Sequence, residues 1–237
     1  MRDPHLGNEH TSKAFDDEFQ RLIAEITRMG QSASRQLADA MRALRNNDDA
    51  LADTVIAADA DIDMMESQVS HDALRLLALR QPIARDLREI VAALRTAAAI
   101  ERVGDYAANI AKRVRALKQL PTTTHGNDIQ ALGEQAGALF ADVIEAWRDR
   151  DAEHAYTVWQ QDAELDRRHN ALFAGLLETM AAQPPQVPGC AHLMFIAKNL
   201  ERIGDHATNI AEQLHFVVHG QPLAESRRKQ DSTSSMT

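Results

Sequence analysis

The chain has 237 residues, a formal net charge of −9 at neutral pH, 4% aromatic residues and only ten glycines and seven prolines, which together favour an all-helical protein. The acidic balance argues against a nucleic-acid-binding protein, and no apolar run reaches the roughly 20 residues that cross a bilayer. The N-terminus lacks the apolar segment of a secretory signal, and a lone Cys190 fits a reducing cytoplasm, so we expect a cytoplasmic protein.

Apolar residues at helical spacing predict three helices in the first half of the chain. Residues 1–11 are polar and are predicted to form a flexible tail, and the first helix covers about residues 15–44. Asp48 or Asp49 can cap the second helix, which continues to about residue 80. Pro82 suits the first turn of the third helix, which ends near residue 118.

The second half repeats this plan after a linker at residues 120–127. Helices are predicted over about residues 128–148 and 151–182, and a proline-rich turn at 183–189 leads to a last helix that ends near 219. Residues 221–237 read as a tail. The predicted fold is all-α, with two tandem three-helix bundles at residues 12–120 and 127–219 that are related by an internal repeat.

The clearest signal is a motif that occurs twice, 100 residues apart. Residues 101–112 read ERVGDYAANIAK and residues 201–212 read ERIGDHATNIAE, with eight of twelve positions identical. The shared polar residues follow at i, i+4 and i+8, so they lie along one face of a helix, nearly opposite its apolar stripe. We therefore expect these side chains to point outward: Glu101, Asp105 and Asn109 in the first copy, and Glu201, Asp205 and Asn209 in the second.

The preceding helix in each half adds two more acids, Asp59 and Asp63 in one and Asp162 and Asp166 in the other. In an antiparallel hairpin that turns at residue 82, Asp63 lies level with Glu101 and Asp59 with Asp105. In the second half the same geometry places Asp166 level with Glu201 and Asp162 level with Asp205. Each half is thus predicted to gather four carboxylates on two adjacent helices.

Four carboxylates at close range repel one another, and a bound cation removes that cost. Carboxylate and amide oxygens are hard ligands, suited to ions such as Mg, Mn or Fe. The competing interpretation is a solvated acidic face that is paired with neighbouring cations such as Arg102 and Arg202. The duplication and the matched levels favour a metal site, with these predicted ligands: Asp59, Asp63, Glu101, Asp105, Asn109, Asp162, Asp166, Glu201, Asp205 and Asn209.

From about residue 15 to 219 the chain resembles the PhoU family of phosphate-specific transport system accessory proteins. The segments that carry the resemblance read LRQPIARDLR (79–88), ERVGD (101–105) with Asn109, and NLERIGDHATNIAE (199–212). The resemblance implies two tandem three-helix bundles with multinuclear metal sites on the repeated acidic motifs. It also implies a regulatory, non-catalytic protein that links the phosphate ABC transporter to a sensor histidine kinase.

The resulting expectation is a cytoplasmic adaptor of phosphate homeostasis, a negative regulator of phosphate-starvation signalling and a modulator of phosphate uptake. Its expected partners are the sensor kinase, the transporter ATPase and a second copy of the chain, with membrane contact only through partners. The chain departs from the family pattern in its second half, which has no counterpart of the PIARDLR segment. Two alternatives stay open: a ferritin-like di-metal carboxylate enzyme, and a metal-free helical scaffold.

Overall fold

A computed structural model describes residues 4–80, 84–121 and 124–223, without the side chains of residues 4–16, 80, 84 and 85. The described residues form helices and turns with no strand, which confirms the all-α prediction. None of the described helices is long and apolar enough to cross a membrane. The helices are α1 (Pro4–Asn46), α2 (Asp49–Ala57), α3 (Asp59–Arg80), α4 (Ala84–Lys118), α5 (Gly126–Asp149), α6 (Ala152–Ala182) and α7 (Val187–His219), with a 3-10 turn at Pro184–Gln186.

Aspartates begin the second helix of each half. The side chain of Asp48 accepts a hydrogen bond from the backbone N–H of Leu51 at 3.0 Å. Asp151 caps α6 in the same way, accepting from the backbone N–H groups of Glu153 and His154. These bonds satisfy donors that the first turn of a helix otherwise leaves free, so the chain restarts as a helix directly after each short turn.

Two helix boundaries differ from the sequence prediction. The predicted second helix is divided at Ala58, whose N–H still donates to the Thr54 carbonyl while its own carbonyl accepts from Asp61 N–H at 3.2 Å. The helix is therefore interrupted there, and Asp59 opens a new helix. The first helix begins at Pro4, inside the segment 1–11 that we predicted to be a tail, since proline is tolerated at a helix start. Residues 1–3, the predicted turn at 81–82 and the tail from 224 onward lie outside the described residues.

The two halves pack against each other and share a continuous apolar core. Each half is a three-helix unit, in which α2 and α3 together form the middle helix of the first, and contacts between the halves run from α1 to α5 and from α4 to α7. This agrees with the predicted repeated bundles. Helices α4 and α7 are antiparallel, because Arg95 contacts Gln213 at one end of the seam and Arg113 contacts His192 toward the other.

This arrangement sets the place of the repeated motif. The motif helices α4 and α7 are neighbours, with α3 packed on α4 and α6 packed on α7. The acids of the first copy can therefore meet those of α3, and the acids of the second copy can meet those of α6. The α4/α7 seam runs between the two acidic clusters.

Two acidic clusters beside the motif helices

The first cluster combines acids of α3 and α4, as the hairpin register predicts. Burial raises the pKa of the Glu101 carboxyl, and the negative charges of Asp105 and Asp63 raise it further. Burial also raises the pKa of Asp59, and the charges of Asp105 and Asp63 add to this rise. The four carboxylates thus lie within electrostatic reach of one another, with Asp63 exposed and the other three half-buried.

The raised pKa values of Glu101 and Asp59 mean that burial, together with repulsion between the acids, disfavours the ionised form of the cluster. A carboxyl whose pKa is higher in the folded protein than in the unfolded chain destabilises the fold once both states are ionised. The contribution of Glu101 and Asp59 to stability therefore falls as the pH rises through their folded pKa values, and acidification relieves the repulsion. A cation bound at neutral pH would relieve the same repulsion.

Basic side chains of the same helix already supply part of that positive charge. The Nε atom of Arg102 lies 3.2 Å from Glu101 Oε2, and its Nη1 donates to Asp105 Oδ2 at 2.8 Å. Lys112 Nζ donates to the Asn109 side-chain oxygen at 3.3 Å. A metal ion that used these oxygens would have to displace Arg102, whose side chain is 57% exposed and free to swing into solvent.

Gln36 of α1 also belongs to this cluster, and sequence reasoning missed it. Its amide Nε2 donates to the Val55 carbonyl at 3.0 Å and approaches Asp59 Oδ1 at 3.4 Å. Its Oε1 is buried and has no hydrogen-bond partner among the described residues. A Cβ atom on Gly104 would lie 3.1 Å from that oxygen, so glycine in the motif leaves room for Gln36. Gln36 lies 65 positions before the motif, and no local pattern in the sequence connects the two.

The second cluster is more deeply buried than the first, and here the expectation that Glu201 points outward is wrong. Asp162 is 1% exposed, Asp166 2% and Glu201 2%, while Asp205 is half-buried and Asn209 is exposed. The physical reason is Gly204, which lets α6 come close to α7. A Cβ atom at Gly204 would overlap Asp162 Oδ1 and the Leu165 side chain.

A lysine supplies positive charge in this buried setting. Lys198 Nζ lies 2.9 Å from Glu201 Oε2, and its side chain reaches the surface with 39% exposure. The repeat therefore conserves the acids but changes their charge partner, which is Arg102 in the first cluster and Lys198 in the second. An ion that entered the second cluster would have to compete with Lys198 in a poorly hydrated site.

The donor chemistry of both clusters fits a hard cation, but the side chains are not arranged as a finished ligand set. Within the part of the chain that the structure describes, no three His, Cys, Asp or Glu side chains come together closely enough to hold a metal ion. Asn109 and Asn209 lie exposed at the edges of their clusters. The ten metal ligands therefore stay a prediction, and metal binding would require Arg102 and Lys198 to move aside.

The two clusters are joined across the seam by a pair of rings. Tyr106 and His206 occupy equivalent motif positions, and their ring centres lie 5.7 Å apart at a tilt of 41°. The two residues differ in type, yet their rings are packing partners. Each ring directly follows a motif aspartate, so this contact links Asp105 to Asp205 through the adjoining backbone.

Comparison with known proteins gives one consistent family. The profile of the PhoU domain matches residues 26–114 and again residues 129–214. The chain is 45% identical over 229 residues to a phosphate-specific transport system accessory protein PhoU homolog of Xylella fastidiosa, covering 97% of each chain. A homolog of the same description from Caulobacter vibrioides is 44% identical over 227 residues, covering 95% of this chain and 99% of the homolog.

Solved structures show the same relationship. The crystal structure of PhoU from Pseudomonas aeruginosa superposes with a TM-score of 0.85 at 31% identity, covering 87% of this chain and 100% of that one. The phosphate transport system regulatory protein PhoU from Streptococcus pneumoniae superposes with a TM-score of 0.83 at 28% identity, covering 89% and 100%. These similarities extend through both repeats.

Proposed function

The chain belongs to the PhoU family, and from this premise we propose that it is a regulatory adaptor of phosphate transport that binds metal ions at its two acidic clusters. Relatives that match it over almost their whole length are described as accessory proteins of the phosphate-specific transport system. The proposal gives it a non-catalytic role in the cytoplasm. It would restrain phosphate-starvation signalling and phosphate uptake when phosphate is plentiful.

One observation carries the metal part of the proposal. Burial raises the pKa values of Glu101 and Asp59, and the negative charges of the neighbouring Asp63 and Asp105 raise them further. Divalent or trivalent ions such as Mg, Mn or Fe, which prefer oxygen ligands, would offset that repulsion. The same acids recur in the second half with Asp162, Asp166, Glu201 and Asp205, although that cluster is more deeply buried. When bound, the metal would supply positive charge that a partner's polar groups can meet.

The proposed partners are the sensor histidine kinase that responds to phosphate and the ATPase of the phosphate ABC transporter, together with a second copy of the chain. An adaptor needs exposed surface near its regulatory sites. The first acidic cluster meets this need, because Asp63 and Asn109 are exposed and Asp105 is half-buried.

A metal-free helical scaffold is the second candidate, and the basic partners favour it. Arg102 pairs with Glu101 and Asp105, and Lys198 pairs with Glu201. In that case the clusters would be ion-paired surfaces with no resident metal. A ferritin-like enzyme fits less well, because such sites need a histidine three residues after a glutamate on helices facing one core. Position 104 is glycine and so is position 204.

The regulatory role is tested in cells that lack the gene and carry it back as wild type or as a variant. In high phosphate, wild type is expected to keep alkaline phosphatase low. A variant with Glu101→Gln, Asp105→Asn, Glu201→Gln and Asp205→Asn is expected to let alkaline phosphatase activity rise to the level of the deletion strain. The reason is that these changes remove the charge that holds the metal while keeping side-chain size.

The control variant removes the same amount of charge from four acids outside the clusters, whose side chains are 56–70% exposed: Asp53, Asp128, Glu134 and Asp149. This variant should keep alkaline phosphatase as low as wild type does. If the deletion strain itself stays repressed in high phosphate, the regulatory role is wrong. If the cluster variant represses normally at wild-type protein levels, the clusters are not needed for regulation.

A further inference from the structure

Two arginine–aromatic stacks lie in the seam between α4 and α7. The guanidinium carbon of Arg113 on α4 lies 4.2 Å from the ring centre of Phe195 on α7. The guanidinium carbon of Arg202 on α7 lies 5.8 Å from the ring centre of Tyr106 on α4. The two stacks are seven residues apart on each helix, which is about 10 Å, or two helical turns. In one stack the arginine lies on α4 and the aromatic residue on α7, and in the other stack this arrangement is reversed.

Neither of these two arginines has an acidic partner among the described residues. Arg113 is half-buried, contacts His192 Nδ1 at 3.3 Å and leaves its Nε without a hydrogen-bond partner in the described part of the chain. Arg202 is exposed, although its motif counterpart Arg102 pairs with two acids. The seam thus holds two positive charges that nothing described in this acidic protein neutralises.

The positive seam continues along α4 and has an apolar part. Arg95 is exposed and is 3.4 Å from its seam neighbour, Gln213 Oε1. Phe195 is 58% exposed, which leaves most of a large aromatic surface in water. Arginine and aromatic side chains that cluster in this way dominate the binding energy of many protein–protein interfaces.

We propose that the seam formed by Tyr106, Arg113, Phe195 and Arg202 binds an acidic helical segment of a partner protein, with carboxylates two turns apart that pair with Arg113 and Arg202. A helix lying along the seam would place residues i and i+7 about 10 Å apart on one face, which matches the two arginines. Phe195 would be covered by the apolar part of that helix. This inference rests on the proposed adaptor function, because that function supplies the partner protein. It does not require bound metal.

The acids beside the seam favour a helical peptide over wider anionic ligands. Acidic clusters lie on both sides of the seam, at Glu101 and Asp105 toward α3 and at Asp205 toward α6. A wide anionic surface such as a membrane or a nucleic-acid duplex would press against these carboxylates and be repelled. A helix that carries carboxylates only opposite Arg113 and Arg202 would bring no further negative charge against those acids.

The test uses fluorescence anisotropy with the full-length protein at low salt. The probe is a fluorescein-labelled, alanine-based helical peptide that carries two glutamates seven residues apart, and glutamines replace the glutamates in the control peptide. We expect wild type to bind the acidic probe and not the control. The Arg113→Gln/Arg202→Gln variant should bind it roughly tenfold more weakly, which corresponds to about 1.4 kcal/mol.

The matched control is Arg115→Gln/Arg148→Gln, which removes the same charge from side chains that are 64% and 47% exposed outside the seam. It should bind like wild type. Phe195→Ala keeps every charge and should also weaken binding, because it removes the ring that Arg113 stacks on. Far-ultraviolet circular dichroism and thermal melting show whether each variant is folded.

Three results would overturn the proposal. The first is that wild type fails to bind the probe, and the second is that the seam variant and its control variant lose affinity equally. The third result is that the seam arginines mediate binding to vesicles with 30% phosphatidylglycerol and not to the peptide. Probe binding and metal binding are tested independently. The variant that neutralises the acidic clusters is expected to keep probe binding even if it loses both metal and regulation; its changes are at Glu101, Asp105, Glu201 and Asp205.

Discussion

Glu89→Gln is expected to destabilise the protein by about 2–3 kcal/mol, because it breaks a largely buried ion pair that joins the two halves. The Glu89 carboxylate on α4 pairs with Arg150, the residue that caps the C-terminus of α5, and the Glu89 side chain is only 8% exposed. Phe19 of α1, over which Arg150 lies, and Trp147 of α5 line the same small space. Removing the negative charge leaves the Arg150 guanidinium poorly hydrated and unneutralised. Because Arg150 is 29% exposed, the expected cost falls below that of a fully buried pair.

The comparison is Asp53→Asn, which breaks the ion pair between Asp53 and Arg115. Those side chains are 61% and 64% exposed, so the expected cost is under about 1 kcal/mol. Urea unfolding followed by circular dichroism measures both. Changing both partners, as Glu89→Met with Arg150→Met, should restore part of the lost stability, because no charge is then left unpaired. Equal losses for Glu89→Gln and Asp53→Asn would show that the inter-half pair is not buried in solution.

Gly30→Ala is the second change with a large expected effect, because it overfills the contact between α1 and α5. A Cβ atom at Gly30 would lie 2.5–2.9 Å from three carbons of the Ile144 side chain. Isoleucine is branched at Cβ and has few rotamers, so it cannot move aside without shifting a helix. We expect a loss of about 1–2 kcal/mol, after allowing for the helix propensity that alanine gains over glycine.

Gly133→Ala is its control in the same interface. A Cβ atom there would meet the flexible end of Met41, which has three rotatable bonds and can turn away. The expected change is therefore small, because the better helix propensity of alanine offsets the repacking. Thermal unfolding of the two variants distinguishes them. A Gly30→Ala protein as stable as Gly133→Ala would mean that α1 and α5 pack less closely than described.

Much of the fold follows from patterns that act over short stretches of sequence. The apolar spacing marks the helices, and Asp48 and Asp151 mark where the second helix of each half begins. The hairpin register also follows from sequence, because two antiparallel helices joined by a short turn have fixed levels. That is why the charge of Asp105 acts on Asp59 and the charge of Asp63 acts on Glu101, in keeping with the predicted register.

Other features depend on how closely helices approach, which local patterns do not encode. A helical wheel gives the direction of Glu201 relative to its own apolar stripe, but not the distance to α6. Gly204 brings α6 close, so Glu201 is buried where we expected exposure. The glycine itself was the available signal, since it is costly inside a helix unless something approaches it.

The packing of the two halves was likewise not predictable from local pattern. The contact between Tyr106 and His206 and the stack of Arg113 on Phe195 both require α4 and α7 to be neighbours. The repeat offers a partial clue, because two copies of one unit that pack about a shared axis bring equivalent residues together. Gln36 joins the first cluster through α1, and the repeated motif contains nothing that indicates it.

Elemental analysis of the purified, untagged protein after incubation with Mn, Fe or Mg tests most directly whether the two acidic clusters bind metal. The Glu101→Ala/Asp105→Ala/Glu201→Ala/Asp205→Ala variant is measured beside wild type. We predict stoichiometric metal in wild type and none in the variant, together with loss of the metal as the pH falls through the raised pKa of Glu101. No metal in wild type, or equal metal in both proteins, would show that these clusters do not bind metal and would favour ion-paired clusters instead.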